Sequence, residues 1–157
     1  MPGEAAAHSL LFFATRLSPL MRTQNMLSTH PESVDNVDAL VACINACVEC
    51  DQCCTSCADA CLHEDDPSKL TACIRLNLDC ADVCAATGRM LSRFGDVNAA
   101  TLRAQLESCK AACDACGDEC AEHQDKHEHC RVCMECCRSC SEACTQLLQA
   151  MGQPATA

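Results

Sequence analysis

The sequence contains no tryptophan and no tyrosine, and its only aromatic hydrocarbon side chains are Phe12, Phe13 and Phe94. An interior without rings must take its bulk from other residues. Basic residues are also scarce: eleven Lys and Arg face twenty-two Asp and Glu, for a formal charge of −11. No basic patch with interleaved aromatics is present, which excludes a nucleic-acid or anionic-membrane surface and suits a cationic ligand. No apolar run approaches the roughly 20 residues of a membrane span. The cluster Leu10 to Phe13 lacks the layout of a signal peptide, because Glu4 precedes it, no Lys or Arg does, and Arg16 interrupts it. There is no twin arginine either. The expectation is a cytosolic chain with reduced thiols, in which cysteine patterns signify metal or redox chemistry.

What the sequence has in abundance is cysteine, twenty in 157 residues. That density alone points to a disulfide scaffold or a metal protein. Cys43, Cys47, Cys50, Cys54, Cys57 and Cys61 recur at intervals of 4, 3, 4, 3 and 4, a helical period that lays six thiols along one stripe. Cys53 lies one residue off that stripe, leaning toward a neighbouring helix. In an ordinary bundle such a seam is Leu, Ile or Val.

Cysteine is absent before residue 33, where Pro2, Pro19 and Pro31 mark an extension with a short helix around Ser9 to Leu17. Helical pattern then runs from Ser33 to about His63, with Ser33 or Asp35 as cap. Asp66-Pro67 is a start signal for a second helix, which ends near Phe94 before Gly95. Asp96 or Asn98 caps a third, which frays between Glu122 and Glu128. The fourth begins between His127 and His129 and runs to about Ala150, with Gly152 as its stop. The domain reading is therefore an extension over 1–32, a bundle over 33–150 and a tail over 151–157.

Two internal echoes support four helices. Cys47, Cys50, Cys53, Cys54, Cys57 and Cys61 match Cys130, Cys133, Cys136, Cys137, Cys140 and Cys144, interval for interval (3, 3, 1, 3, 4). Cys73, Cys80 and Cys84 match Cys109, Cys113, Cys116 and Cys120 if Asn77 takes the place of one thiol. Three short connections then give an antiparallel up-down-up-down bundle, an all-α fold. Its ends differ. One gathers His63, His123, His127 and His129 beside Cys61, Cys73, Cys120 and Cys130, while the other gathers Leu40, Met90, Leu91, Leu102, Leu106, Leu147 and Leu148 as a greasy plug. His8 and His30 fall outside the bundle; Met90 and Met151 read as fillers of the plugged end. Val37, Val41, Ile44 and Val48 form a second apolar line, and Leu76, Val83 and Met90 repeat by sevens; these seal adjacent helices or bury a subunit interface.

Stapling fits poorly, because i, i+3 and i, i+4 thiols on one helix have poor bridging geometry. Buried cysteine as a small hydrophobe explains a foldable apoprotein but not the absence of Leu from the seam. Nucleophilic catalysis needs one thiol set apart by a base, and none is. Iron–sulfur and structural zinc sites take four ligands at loop or knuckle spacings, unlike a continuous stripe. Thiolates about 5–6 Å apart at Cβ can share one ion between two sulfurs. Soft thiolates favour Cu(I), and a ladder of bridged monovalent ions cancels one buried charge per thiolate. A zinc- or cadmium-sequestering buffer of metallothionein type is the runner-up, followed by a thiol redox protein.

The repeated C-x-x-C-x-x-C-C-x-x-C-x-x-x-C stripes, with histidines at one mouth, resemble the copper storage proteins, Cys-lined four-helix bundles, in their cytosolic form. The resemblance spans about Ser33 to Ala150. It implies a bundle filled with many Cu(I) ions held mainly by cysteine, roughly one per thiol, a homotetramer, and storage or buffering in place of an enzymatic activity. A copper chaperone is a further partner. The ligand set is all twenty cysteines. His123 and His127, which continue the stripe from Cys120, serve as entry ligands, followed by His63 and His129. Asn77 enters the ligand row as a hard amide donor that interrupts the thiols at its level.

Overall fold

The structure is a computed structural model and describes residues 19–33 and 36–152. Five α-helices follow in order: α1 Pro19–Ser28, α2 Val37–Leu62, α3 Thr71–Leu91, α4 Ala99–Ala121 and α5 Glu128–Gly152, with a 3-10 turn over Pro67–Leu70 ahead of α3. Among the described residues no strand occurs.

Helices α2 to α5 form the all-α, up-down-up-down four-helix bundle. Each packs on its sequence neighbour, α5 closes the ring against α2, and no backbone approaches closely across either diagonal. The axis is therefore left to side chains. On α2 the stripe of six cysteines is 2% exposed or less along its whole length. At 1.5 Å per residue, α2 is nearly 40 Å long and carries that sulfur face over about 27 Å of it, from Cys43 to Cys61.

The helix ends show where local chemistry acts. Asn98 caps α4 by accepting from the Thr101 backbone N–H at 3.0 Å, as a side-chain cap should. Asp96 is instead the left-handed turn residue before it, at φ 51°. Helix α2 starts at Val37 behind Asn36, whose φ of 59° and ψ of 38° are left-handed and whose side chain makes no cap bond. That is four residues after Ser33; Asp35 lies outside the described residues. Pro67 opens a 3-10 turn, and the α-helix proper begins at Thr71. The segment expected to fray is a set of turns between Ala121 and Glu128.

Helix α1 was not foreseen, since its prolines read as an extension; the short helix expected over 9–17 lies outside the described residues. Leu27 of α1 is buried in the core cluster with Leu40, Val41 and Ile44, and Thr23 Oγ1 donates to Asn45 Oδ1 at 3.1 Å. At the plugged end, Leu91 and Leu106 are fully buried and Leu40, Leu102 and Leu147 nearly so. Met90 and Leu148 are half-buried. Thr87 sits at the border of the plug, donating to the Val83 carbonyl and accepting from Gln105 Nε2 at 2.9 Å. Helices α4 and α5 approach closely at Gly117, where an added Cβ would lie 3.3 Å from the Cys137 Cβ; glycine permits that spacing.

Candidate metal centre

All twenty cysteines are free thiols; eighteen are buried, and Cys53 and Cys136, the two off-stripe members, are half-buried. The buried sulfurs meet across the bundle axis. Starting from the plug, Cys43 and Cys144 are 3.8 Å apart at Sγ, Cys47 lies 3.9 Å from Cys109 and 3.8 Å from Cys140, and Cys84 lies 3.6 Å from Cys113. Cys50 then touches Cys80 and Cys113 at 3.9 Å and Cys137 at 3.8 Å. Cys54 meets Cys137 at 3.5 Å and Cys133 at 3.7 Å. Thiols 29 to 101 residues apart in sequence thus present one column of sulfur.

Several sets of four thiols lie with all ligand atoms within 4.8 Å of one another. The sets overlap. Cys50 and Cys140 belong to two sets each, as do Cys54 and Cys137. Overlap means that the sets cannot all be filled as isolated four-thiolate sites of the structural zinc kind, and it favours ions that share bridging sulfurs.

Asn77 occupies the level that lacks a thiol. It is fully buried, its Oδ1 accepts from Cys133 Sγ at 2.9 Å and Cys116 Sγ at 3.4 Å, and its Nδ2 donates to the Cys73 carbonyl at 2.8 Å and Cys73 Sγ at 3.3 Å. The carboxamide thereby joins the deep column to the outer thiols Cys73 and Cys120, which are 3.7 Å apart. Buried amides need such partners.

The outermost layer contains one imidazole. His129 Nδ1 lies 3.4 Å from Cys57 Sγ, 3.5 Å from Cys130 and 4.0 Å from Cys61, and these four residues form a candidate ligand group. The other histidines are placed differently. His127 Nδ1 contacts Glu64 Oε1 at 2.8 Å, and His123 Nε2 contacts Glu119 Oε1 at 3.2 Å. Both line a vestibule of about 550 Å³ in which the carboxylates of Glu64, Asp65, Asp66 and Glu122 outnumber the ammonium groups of Lys69 and Lys126, and the net negative lining attracts cations. His63 is not brought to the mouth: its side chain is 76% exposed and bonds back to the Asp59 carbonyl at 2.8 Å. His30 stacks on Phe94 at the opposite end, centroids 4.5 Å apart.

Two carboxylates at this mouth, Glu64 and Glu119, escape a reading of the sequence. Glu119 precedes His123 by four residues, so helical spacing was a usable signal. Glu64 sits in an acidic turn that looks merely solvated, and only the return of α5 gives it partners.

Proton sharing governs the thiol column before any ion enters. Burial pushes the Cys61 and Cys53 thiols above their ordinary value. Hydrogen bonds from Cys116, Cys133, Cys137 and Cys50 push Cys54 up as well, whereas bonds from Cys144 and Cys47 hold Cys43 down at about 5. Adjacent sulfurs cannot all ionise in one low-dielectric space, so a thiolate at one position keeps its neighbours protonated. A monovalent soft cation replaces those protons charge for charge.

The family model described as "Copper storage protein" matches residues 36–149. The chain belongs to the copper storage protein family. Among solved members it is similar to Ccsp from Streptomyces lividans loaded with 10 copper equivalents, 49% identical with a TM-score of 0.80, over 82% of this chain and 98% of that one. It is also similar to a cytosolic copper storage protein from Streptomyces lividans carrying five coppers, 54% identical with a TM-score of 0.70, over 71% and 93% of the two chains. Apo copper storage protein 3 from Bacillus subtilis matches at 34% identity with a TM-score of 0.58, over 68% and 96%. No curated protein matches the chain. Within this copper storage protein, the donors facing the axis are sulfurs, one amide and one imidazole, a set suited to a soft metal ion.

Proposed function

We propose that the chain stores Cu(I), taking up roughly one ion per cysteine between bridging thiolates. The observation that carries this reading is the overlap of the four-thiol sets, in which Cys50, Cys54, Cys137 and Cys140 each serve two. Sharing requires an ion content with two or three bridging thiolates, which suits Cu(I) and not a zinc ion that takes four ligands. Each incoming Cu(I) displaces a thiol proton, so the column stays near neutral as it fills.

The roles of individual residues follow from position. His127 and His123, at the acidic vestibule, receive the ion; His129, with Cys57, Cys61 and Cys130, passes it to the column; Asn77 lies between the outer and deep thiols. Cys53 and Cys136 serve as outlying ligands. No residue acts as a catalyst in this scheme. A cytosolic setting, where thiols stay reduced, suits it, and a thiolate-bearing copper chaperone is the donor we infer. Assembly as a homotetramer draws support from Val48, Leu78 and Val132, each more than two-fifths exposed.

Anaerobic titration of the reduced protein with Cu(I), counted against a thiol assay, tests the function. Saturation near the number of thiols supports it; saturation at four or five ions, or failure of Cu(I) to displace Zn(II), overturns it. Light scattering of the eluting apoprotein tests the tetramer.

A further inference from the structure

Both inner mouth histidines converge on one oxygen. Glu64 Oε1 lies 3.0 Å from His129 Nε2 and 2.8 Å from His127 Nδ1, and the two rings are tilted against each other with centroids 5.4 Å apart. A carboxylate accepts and cannot donate. His129 Nε2, which hydrogen-bonds to it at 3.0 Å, must therefore carry the proton, since a bare lone pair there would be repulsive. A neutral imidazole has only one N–H. The contact at Nε2 of His129 leaves its Nδ1 unprotonated, and that is the atom 3.4–3.5 Å from Cys57 and Cys130. His127 Nδ1 makes a close charge contact with the same oxygen, outside hydrogen-bond alignment, on a ring that lines the vestibule.

We propose that Glu64 is the positioning residue of the mouth: its carboxylate holds the proton of His129 on Nε2, so that this ring offers a metal ion its Nδ1, and it keeps His127 beside it at the vestibule. The inference rests on the reading of His129 as a copper ligand. Its physical basis is the one by which a carboxylate behind a ligating histidine fixes ring orientation and raises ligand basicity. The Glu64 carboxylate is itself held below the usual carboxylate range by these contacts, that from His129 first and that from His127 next. Glu64 belongs to the turn leaving α2, while both histidines lie on α5 or just before it. The device therefore exists only once the bundle has closed, and a closed mouth is already aligned for the first ion.

The test is made on the full-length reduced apoprotein, comparing wild type with Glu64→Ala and Glu64→Gln. Long-range proton–nitrogen NMR of ¹⁵N-histidine-labelled protein should show His129 protonated at Nε2 in the wild type, and averaged His129 tautomers in Glu64→Ala. Initial uptake from a Cu(I)–chelator complex should fall by roughly tenfold or more, with final capacity unchanged. Glu64→Gln, whose amide oxygen still accepts, should retain the His129 tautomer and much of the rate, and it stands in where the alanine variant fails to fold. The same tautomers in Glu64→Ala as in wild type overturn the proposal, as does an unchanged uptake rate after the tautomers have changed. Absence of any copper uptake by the wild type would overturn the storage function instead, and the tautomer comparison, made without metal, would still decide the role of Glu64.

Discussion

Asn77 Oδ1 accepts from Cys133 Sγ at 2.9 Å, which makes the amide the hydrogen-bond anchor for a thiol fifty-six residues further along the chain. The same carboxamide also engages Cys116 and Cys73. Asn77→Leu keeps the bulk and strips these bonds, and the reduced apoprotein should lose about 1–3 kcal/mol in a denaturant titration. Asn77→Cys completes the thiol row and should raise Cu(I) capacity by about one ion. An apoprotein indifferent to the leucine substitution would show the amide idle.

The histidines divide by placement. Replacing His123 and His127 together by Ala should slow the first loading events in stopped-flow mixing while leaving capacity nearly unchanged. His63→Ala, on a ring that faces solvent and its own helix, should change neither. Equal capacity losses across the three would contradict the geometry.

Alkaline pH should weaken the empty bundle. Burial raises the folded-state Cys61 and Cys53 thiols above their ordinary 9.0, so the folded chain keeps protons that the unfolded chain releases. The resulting stability is complete below about pH 9 and declines as pH rises beyond it. Melting curves of the reduced apoprotein from neutral to alkaline pH should fall accordingly, and those of the copper-loaded protein should stay flat over the same range.

The plug is a conventional core. Leu106 is fully buried at the end of the bundle remote from the histidines, so Leu106→Ala should cost about 2–5 kcal/mol of apoprotein stability. Because the sulfur column is untouched, Cu(I) capacity should be preserved. A combined loss of capacity would mean that the plug shapes the column as well as closing it.

The outlying pair gives a converse case. Cys53 and Cys136 are half-buried and lie off the stripes, so replacing both by Ser should reduce capacity by at most two ions while the melting temperature moves little. The loss of many ions would place them on the route into the column.

Most of this molecule is legible from spacing, because a helix repeats every 3.6 residues and the cysteines follow that period with one interruption, at Asn77. The stripes, the four bundle helices and the greasy end all follow from it, whereas the cap of α4 was open between Asp96 and Asn98 until the structure gave it to Asn98. Helix α1 was hidden because Pro19 and Pro31 read as punctuation, and Leu27 earns its burial only from contact with α2. His129 was ranked behind His123 and His127 because one-dimensional continuation of a stripe favours steps of three and four from Cys120. The chain turns between Ala121 and Glu128, and α5 returns with His129 facing the sulfurs from the other side. Glu64 was hidden for the same reason: its partners are set by chain reversal, and periodicity has no view across a turn.

The contact between Cys43 and Cys144, which are 101 residues apart, has a mechanical consequence once ions fill the column. Metal held between such thiols ties the start of the bundle to its end and each helix to its neighbours, so the cargo becomes the mortar of its own container. Pulling on the termini or attacking with a protease would then meet a wall that tightens as it is stocked. Withdrawal by ligand exchange, one ion at a time through the histidine mouth, would be the easier route out, and unfolding the hardest.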